Sequence, residues 1–316
     1  MHRVDTPTGL FSDGTEPNTG TPLVSAEANT WQEELAYICE QEGLTLDPED
    51  DTQVHEAVQN MVDRRVMPFS ETYGCTLANN MVDYDHDITI SAGRRCSDDG
   101  TTNMVLASSI TKRIDAAWAE GTVQGGLDTG SVAANTWYYV YLIKNPTTGV
   151  VDGLFSISLS PSMPSGFTKK RLLESVLTDG SANIIRFIQW DDCMMWKDPP
   201  MDHDATVSNN NAVSLVLSTP TGRQVEAVLN VLIIPAVSGQ TGYVYISPYD
   251  QDDEETSREA APLCTLSGGY ETAYNDVSKI NIKTNTSSAI RMRAYFSGSF
   301  LTYRIVTLGW KSQRGR

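Results

Sequence analysis

Beyond the paired prolines Pro199-Pro200, the chain breaks into seven short apolar stretches parted by turn residues: Ala212–Leu217, Val225–Ile234, Tyr243–Ser247, Pro262–Leu266, Val277–Ile282, Ala289–Phe296 and Leu301–Trp310. Strand-length runs at that spacing predict an antiparallel sandwich or jelly roll. Lys197-Asp198-Pro199-Pro200 reads as an internal boundary, because paired prolines end both helix and sheet. The texture upstream is also β, from about Val66. Asp87–Ala92 alternates, with Ile88 and Ile90 on one face, and Thr136–Ile143 is dense in aromatic and β-branched residues. The turn Asn145-Pro146-Thr147-Thr148-Gly149 joins that run to Val150–Ser158 as a hairpin, and Ile184–Trp190 forms a strand after Asp179-Gly180-Ser181. One helix is expected here, Ser109–Ala119, from the spacing of Ile110, Ile114, Ala117 and Trp118. No repeat of solenoid period is present.

The first 65 residues read differently. Residues 1–24 are rich in Gly, Pro, Thr and Asp and carry too little apolar surface to fold alone. Two helices follow. Trp31, Leu35, Ile38 and Cys39 make one stripe, with Asn29 as the expected N-cap and Gly43 as the C-terminal cap. Val54, Ala57, Val58, Met61 and Val62 repeat the spacing, with Asp47 or Asp50 as N-cap and Pro48 in the first turn. A lone pair of helices this short is marginal in water. Its apolar residues Trp31, Leu35, Ile38, Val54, Val58 and Met61 are therefore the expected contacts with further copies of the same chain. The chain is thus mainly β with a short N-terminal α-helical hairpin, in four parts. These are an extended arm (1–24), the hairpin (25–65), a β-rich middle domain (66–198) and a C-terminal antiparallel β-sandwich, jelly-roll-like (199–316).

Charge is unevenly placed in a chain of formal net charge −17. From Val4 to Asp63 there are 14 acidic residues and no Lys or Arg, whereas after Asp276 there are eight basic residues and no acid. Such blocks suit a solvated surface, or ends that meet oppositely charged partners in a larger assembly. A net acidic chain repels the phosphate backbone, so nucleic acid is not an expected partner. No apolar run approaches the roughly 20 residues that cross a bilayer, so membrane insertion is not expected. Residues 1–18 show no basic segment followed by an apolar stretch, so synthesis without a secretory signal is expected. The five cysteines (Cys39, Cys75, Cys96, Cys193, Cys264) lack any CxxC pair and read as reduced, mostly buried thiols.

Signatures of catalysis are thin: no GxSxG elbow, P-loop, HExxH or dinucleotide fingerprint occurs, and no cofactor is expected. Gly125, Gly126 and Gly130 lie in a glycine-rich stretch that lacks the strand-then-helix context of a phosphate cradle. Two Asp-His-Asp triplets, 85–87 and 202–204, read as polar segments entering strands, because adjacent strand residues point to alternate faces. Metal binding is the sharper alternative for them. Asp191-Asp192 and the acidic run 250–255 contain enough carboxylates for a glycosidase pair, which must face each other about 5–10 Å apart. Tyr243, Tyr245, Tyr249, Tyr270 and Tyr274 are candidates for stacking on sugars or for ordinary strand packing.

Four segments together resemble the tail-fibre-like virion proteins of tailed bacteriophages. They are Phe11-Ser12-Asp13-Gly14 through Pro22 with Asn29–Leu35 and Gly43–Leu46; Asp51-Thr52-Gln53-Val54 with Ala57; a middle module of Ile88–Gly93, Thr111-Lys112-Arg113, Gly121–Gly130, Asn135–Tyr138, Gly149–Asp152, Phe155-Ser156 and Met163–Arg171; and the terminus Gly309–Arg316. The resemblance implies a non-catalytic structural component of the virion, a homotrimeric tail or neck fibre or fibre adaptor. Its arm would dock on other tail or neck proteins, and its β domains would contribute to host attachment, with a host surface glycan as a further partner. The alternatives are a polysaccharide depolymerase spike and a non-catalytic carbohydrate-binding or decoration module.

Overall fold

A computed structural model describes residues 25–66, 72–235, 241–256, 265–269, 276–296 and 300–312. The expected arm 1–24 lies outside the described residues. The chain divides into two compact units, the first holding the helical segment together with Thr101–Asn103 and the second the rest of the β region.

In the first unit, α1 (Ser25–Gln41) and α2 (Gln53–Val66) contact one another. α1 begins four residues before the expected cap at Asn29, because Ser25-Ala26-Glu27-Ala28 are competent helix formers that extend it. Its end is as expected. Gly43 takes a left-handed φ of 76°, and the Leu44 and Gly43 N–H groups donate to the Cys39 and Glu40 carbonyls, both at 3.0 Å. Space around Gly43 is open, so Gly43→Ala pays only the left-handed backbone penalty. A loss of about 1 kcal/mol is expected in urea titrations followed by helical circular dichroism. α2 is capped by Thr52 rather than by Asp47 or Asp50. The Thr52 carbonyl accepts from Glu56 N, while the two aspartates accept from Glu49 N and Thr52 N within their own turns. Pro48 accordingly falls in the linker. Gln53 is buried and braces that linker, donating to the Thr45 carbonyl at 2.6 Å and accepting from Asp47 N at 2.9 Å.

The second unit opens with β1 (Tyr73–Gly74), β2 (Leu77–Asn79), β3 (Asp87–Ile90), β4 (Gly93–Cys96), β5 (Asn103–Leu106) and β6 (Ile110–Ala117). It continues with β7 (Gln124–Leu127), β8 (Trp137–Lys144), β9 (Val151–Ser156) and β10 (Lys169–Leu177). Seven of these form one sheet in the order β10-β8-β9-β7-β6-β3-β2, and β1-β4-β5 form a small second sheet. The expected β8–β9 hairpin is present, with Tyr139 opposite Ser156 and Lys144 opposite Val151. β8 is buried on both faces. Tyr138, Val140 and Leu142 enter one core and Tyr139, Tyr141 and Ile143 another, which is why this strand reads as an unbroken apolar run. The helix expected over Ser109–Ala119 is instead β6, paired with β3 from Asp87–Arg113 to Ile90–Ile110. Ile110, Lys112 and Ile114 alternate along it with outward Thr111 and Arg113. The buried charge at Lys112 conceals the strand period.

The remaining strands are β11 (Phe187–Trp190), β12 (Cys193–Trp196), β13 (Met201–Val207), β14 (Val213–Val216) and β15 (Glu226–Pro235). After them come β16 (Thr241–Ser247), β17 (Thr265–Gly269), β18 (Asp276–Lys283), β19 (Ala289–Phe296) and β20 (Leu301–Lys311). β13, β20, β15 and β18 are neighbours in one sheet and β14, β19, β16 and β17 in the other, all antiparallel. That interleaving is the strand order of an eight-stranded jelly roll. The inner faces meet through Leu229, Val231, Ile233, Ile246, Ile290, Met292, Tyr303 and Ile305.

Pro199-Pro200 do not separate two sheets. β11 and β12 lie before them, yet β12 pairs with β20, Met194 opposite Trp310, and extends the jelly-roll sheet. Trp137 of the seven-stranded sheet meets Trp196 and Trp310 at ring centroids of 6.0 and 5.5 Å, so one core runs through both sheets. Cys39, Cys75 and Cys96 are buried and Cys193 is partly buried, these four form no disulfide, and Cys264 lies outside the described residues. Among the described residues no helix is long and apolar enough to cross a membrane.

Candidate functional site

Among the described residues of the two helices, the buried positions are Gln32, Ala36, Cys39, Gln53 and Ala57, most of them small. The larger apolar residues expected to contact further copies stand outward. Trp31 is 55% exposed, Leu35 and Val58 are exposed, and Ile38, Val54 and Met61 are half-buried. Val62 adds a further exposed apolar side chain.

The first Asp-His-Asp triplet lies in a turn leading into β3. Asp83, two residues earlier, organises it: one carboxylate oxygen accepts from Asp85 N at 3.0 Å and His86 N at 3.1 Å, and the other meets His86 Nδ1 at 3.3 Å. Burial raises the Asp83 pKa, but these hydrogen bonds outweigh it and hold the carboxyl below its ordinary value. Asp87 is pushed the other way, first by burial and then by the charges of Asp83 and Asp115, and its Oδ1 has no hydrogen-bond partner. Its folded pKa is raised, so the ionised group opposes folding fully above that pKa and ceases to do so below the ordinary Asp value. Asp87→Asn is therefore expected to raise the melting temperature at neutral pH, with the gain vanishing in acid. Scanning calorimetry across pH 3–8 checks this.

In the second triplet a register shift between Met201 and His203 sends two side chains to one segment. Asp202 accepts from Ser218 N and Oγ and from Thr307 Oγ1, and His203 Nε2 donates to the Val216 carbonyl at 2.8 Å. Asp204 pairs instead with Arg304 at 3.1 Å. Neither triplet converges, and among the described residues no group of three His, Cys, Asp or Glu is placed to hold a metal ion.

The carboxylates considered for hydrolysis are also dispersed. Asp191 occupies the β11–β12 turn with a φ of 47°, which Asp tolerates, and the Asp192 carbonyl accepts from Ser312 N. Asp250 and Asp253 are held below the ordinary carboxylate range, Asp250 by Lys283 and Gln224 and Asp253 by a two-point contact with Arg293. A general acid requires the opposite shift. Gly125 and Gly126 are buried within β7 rather than in a phosphate-binding loop. Of the tyrosines, Tyr245 is buried, and Tyr249 lies beneath the Arg291 guanidinium at 5.2 Å. Tyr270, Tyr274 and the side chain of Tyr243 lie outside the described residues.

The surface that does gather chemistry is the outer face of the β11-β12-β20-β15-β18 sheet. Pairing places Lys283, Glu226, Lys311, Cys193 and Trp190 directly opposite one another in a single row across all five strands. Trp190 is 61% exposed. The next row includes Gly309 opposite Met195, where a Cβ on the glycine would lie 2.0 Å from the Met194 carbonyl oxygen. Beside the first row opens a cleft of about 920 Å³ lined by Leu172, Asp192, Arg223, Glu226, Asn281 and Lys311, among others. Among the described residues, the side chains of Lys311, Glu226 and Asn281 have no hydrogen-bond or ion-pair partner, although their backbones are paired in the sheet. Arg223 forms the wall, its Nη2 donating to Glu174 and to Ser312 Oγ. The aromatic signal was present in the sequence as Trp190. It stood at the end of the expected strand Ile184–Trp190, and only the cross-strand register aligns it with bases more than 90 positions away.

The strand order defines the class as jelly roll, an architecture that serves capsid proteins and lectins and hosts many functions. No family model and no curated protein matches the chain. Among solved structures, that of the Gx strain of infectious bursal disease virus shares 11% identity over 75% of this chain and 70% of its own, with a TM-score of 0.20. A tryptic core variant of Cry1Da from Bacillus thuringiensis shares 6% identity over 76% of this chain and 51% of its own, with a TM-score of 0.21. A carbohydrate-binding module from the β-sandwich superfamily shares 11% over 78% of this chain and all of its own, at 0.16. Similarity this loose assigns no function, and the jelly roll rests on the strand pairing itself.

Proposed function

We propose that this chain is a non-catalytic structural component of a bacteriophage virion, a tail or neck fibre or fibre adaptor. In this reading its helical pair joins three copies, its N-terminal arm docks on other tail or neck proteins, and its β unit contributes to host attachment. The observation that carries the assembly part is the outward Trp31, Leu35 and Val58 on helices of 17 and 14 residues. Helices of that length gain most of their stability from burying an apolar face, and these side chains remain open to water in the single chain. The bacteriophage part rests on the sequence resemblance. Sedimentation of the full chain at micromolar concentration is expected to give a trimer, and Trp31→Glu combined with Leu35→Glu is expected to shift it to monomer. A wild-type chain that sediments only as monomer sinks the proposal.

A further inference from the structure

We infer that the row Lys283–Glu226–Lys311–Cys193–Trp190 and the cleft beside it bind an acidic oligosaccharide. This names a ligand class for the attachment role proposed above and rests on that reading only for where the ligand is met. The row crosses five strands spaced about 4.8 Å apart, a span of about 19 Å that accommodates a short oligosaccharide lying across the sheet. At one end the exposed indole of Trp190 offers a flat apolar surface for the C–H face of a pyranose, with the polar rim such rings favour. Lys311 stands mid-row with no partner, and Lys283, at the far end, is engaged by Asp250 alone. With Arg223 in the wall, these are the cations that carboxylate, phosphate or sulfate substituents would meet. Glu226, Asp192 and Asn281 supply hydroxyl acceptors between the cations.

This alternation separates the saccharide from the other anionic occupant the sequence offers, the acidic stretch 4–63 of a second copy. Glu226 in the row and Asp192 in the cleft would repel a peptide that carries only carboxylates here, whereas a saccharide can set hydroxyls against these two acceptors and its charged substituents against the lysines. The chain's net charge of −17 also opposes indiscriminate polyanion binding, so capture must be local to this face.

The test is a microarray bearing uronate-, sialate- and phosphate-substituted oligosaccharides beside neutral ones and an immobilised peptide of residues 40–63. It is probed with the full chain, Trp190→Ala and Lys311→Glu. Acidic glycans are expected to be bound, with the signal falling about tenfold or more in either variant and falling also in high salt. A blank array, equal binding of neutral glycans, indifference to both substitutions, or capture of the peptide in place of glycans overturns the inference. Sedimentation of the same samples keeps the two proposals apart. Trimers without glycan binding refute only this site, and monomers that bind acidic glycans refute only the assembly reading.

Discussion

Asp152→Ala is expected to lower the unfolding free energy of the β unit by about 3–5 kcal/mol. Lys112 is wholly buried, and its ammonium donates to the carbonyls of Ala119 at 2.7 Å and Gly121 at 3.1 Å and to Asp152 Oδ2 at 3.2 Å. Burial pushes the Lys112 pKa down despite the adjacent carboxylate. Asp152 also accepts from Gly121 N at 2.9 Å and Gly153 N at 2.7 Å, so it holds the 119–121 turn as well as the charge. Without Asp152 a buried cation keeps two carbonyls and the face of the Trp118 ring, 5.4 Å away, with no countercharge. Replacing both partners by apolar residues, Lys112→Met with Asp152→Leu, is expected to recover more than half of the loss, because desolvation of both charges is avoided. Urea unfolding reports both values. A loss below about 1 kcal/mol for Asp152→Ala would place the pair among solvent-screened ion pairs and contradict its burial.

Glu174→Ala is the second large effect, again about 3 kcal/mol or more, and it acts where the seven-stranded sheet meets the jelly roll. Glu174 on β10 is fully buried, and its Oε1 accepts from Arg223 Nη2, from Ser175 N at 3.0 Å and from Trp310 Nε1 at 3.2 Å. Three donors converge on one oxygen, while Oε2 has no partner. Loss of the carboxylate leaves the Arg223 charge and the buried Trp310 N–H unsatisfied together. In a double-mutant cycle with Arg223→Met, a coupling energy of about 1–3 kcal/mol is expected, in the range of residues that share one network. Additive losses would show that the two residues act separately.

Much of this architecture was legible in the sequence. Alternation in Ala289–Phe296 and Leu301–Trp310, and the turn at Asn145–Gly149, led directly to paired strands, and the stripe through Trp31 and Ile38 led to a helix. β6 was not legible, because strand patterning assumes that inward positions are apolar and Lys112 is inward and charged. The helical spacing of Ile110, Ile114 and Trp118 then gave the stronger signal. The prolines at 199 and 200 misled for a related reason: they break hydrogen bonding along the chain but say nothing of pairing across it. The site was the least legible part. Trp190, Lys311, Glu226 and Lys283 become a row only through registers between strands distant in sequence, which no local pattern encodes.

β20 has a consequence for synthesis. It is paired with β12 and β13 along one side and with β15 along the other, and it supplies Trp310 to the core shared with the seven-stranded sheet. A nascent chain therefore cannot close the jelly roll until residues 301–311 have left the ribosome, and until then the partner edges of β12, β13 and β15 stay open. With pairings this distant, closure is a late and slow event. During that interval the exposed edges are the segments most prone to mispair with neighbouring chains on the same polysome.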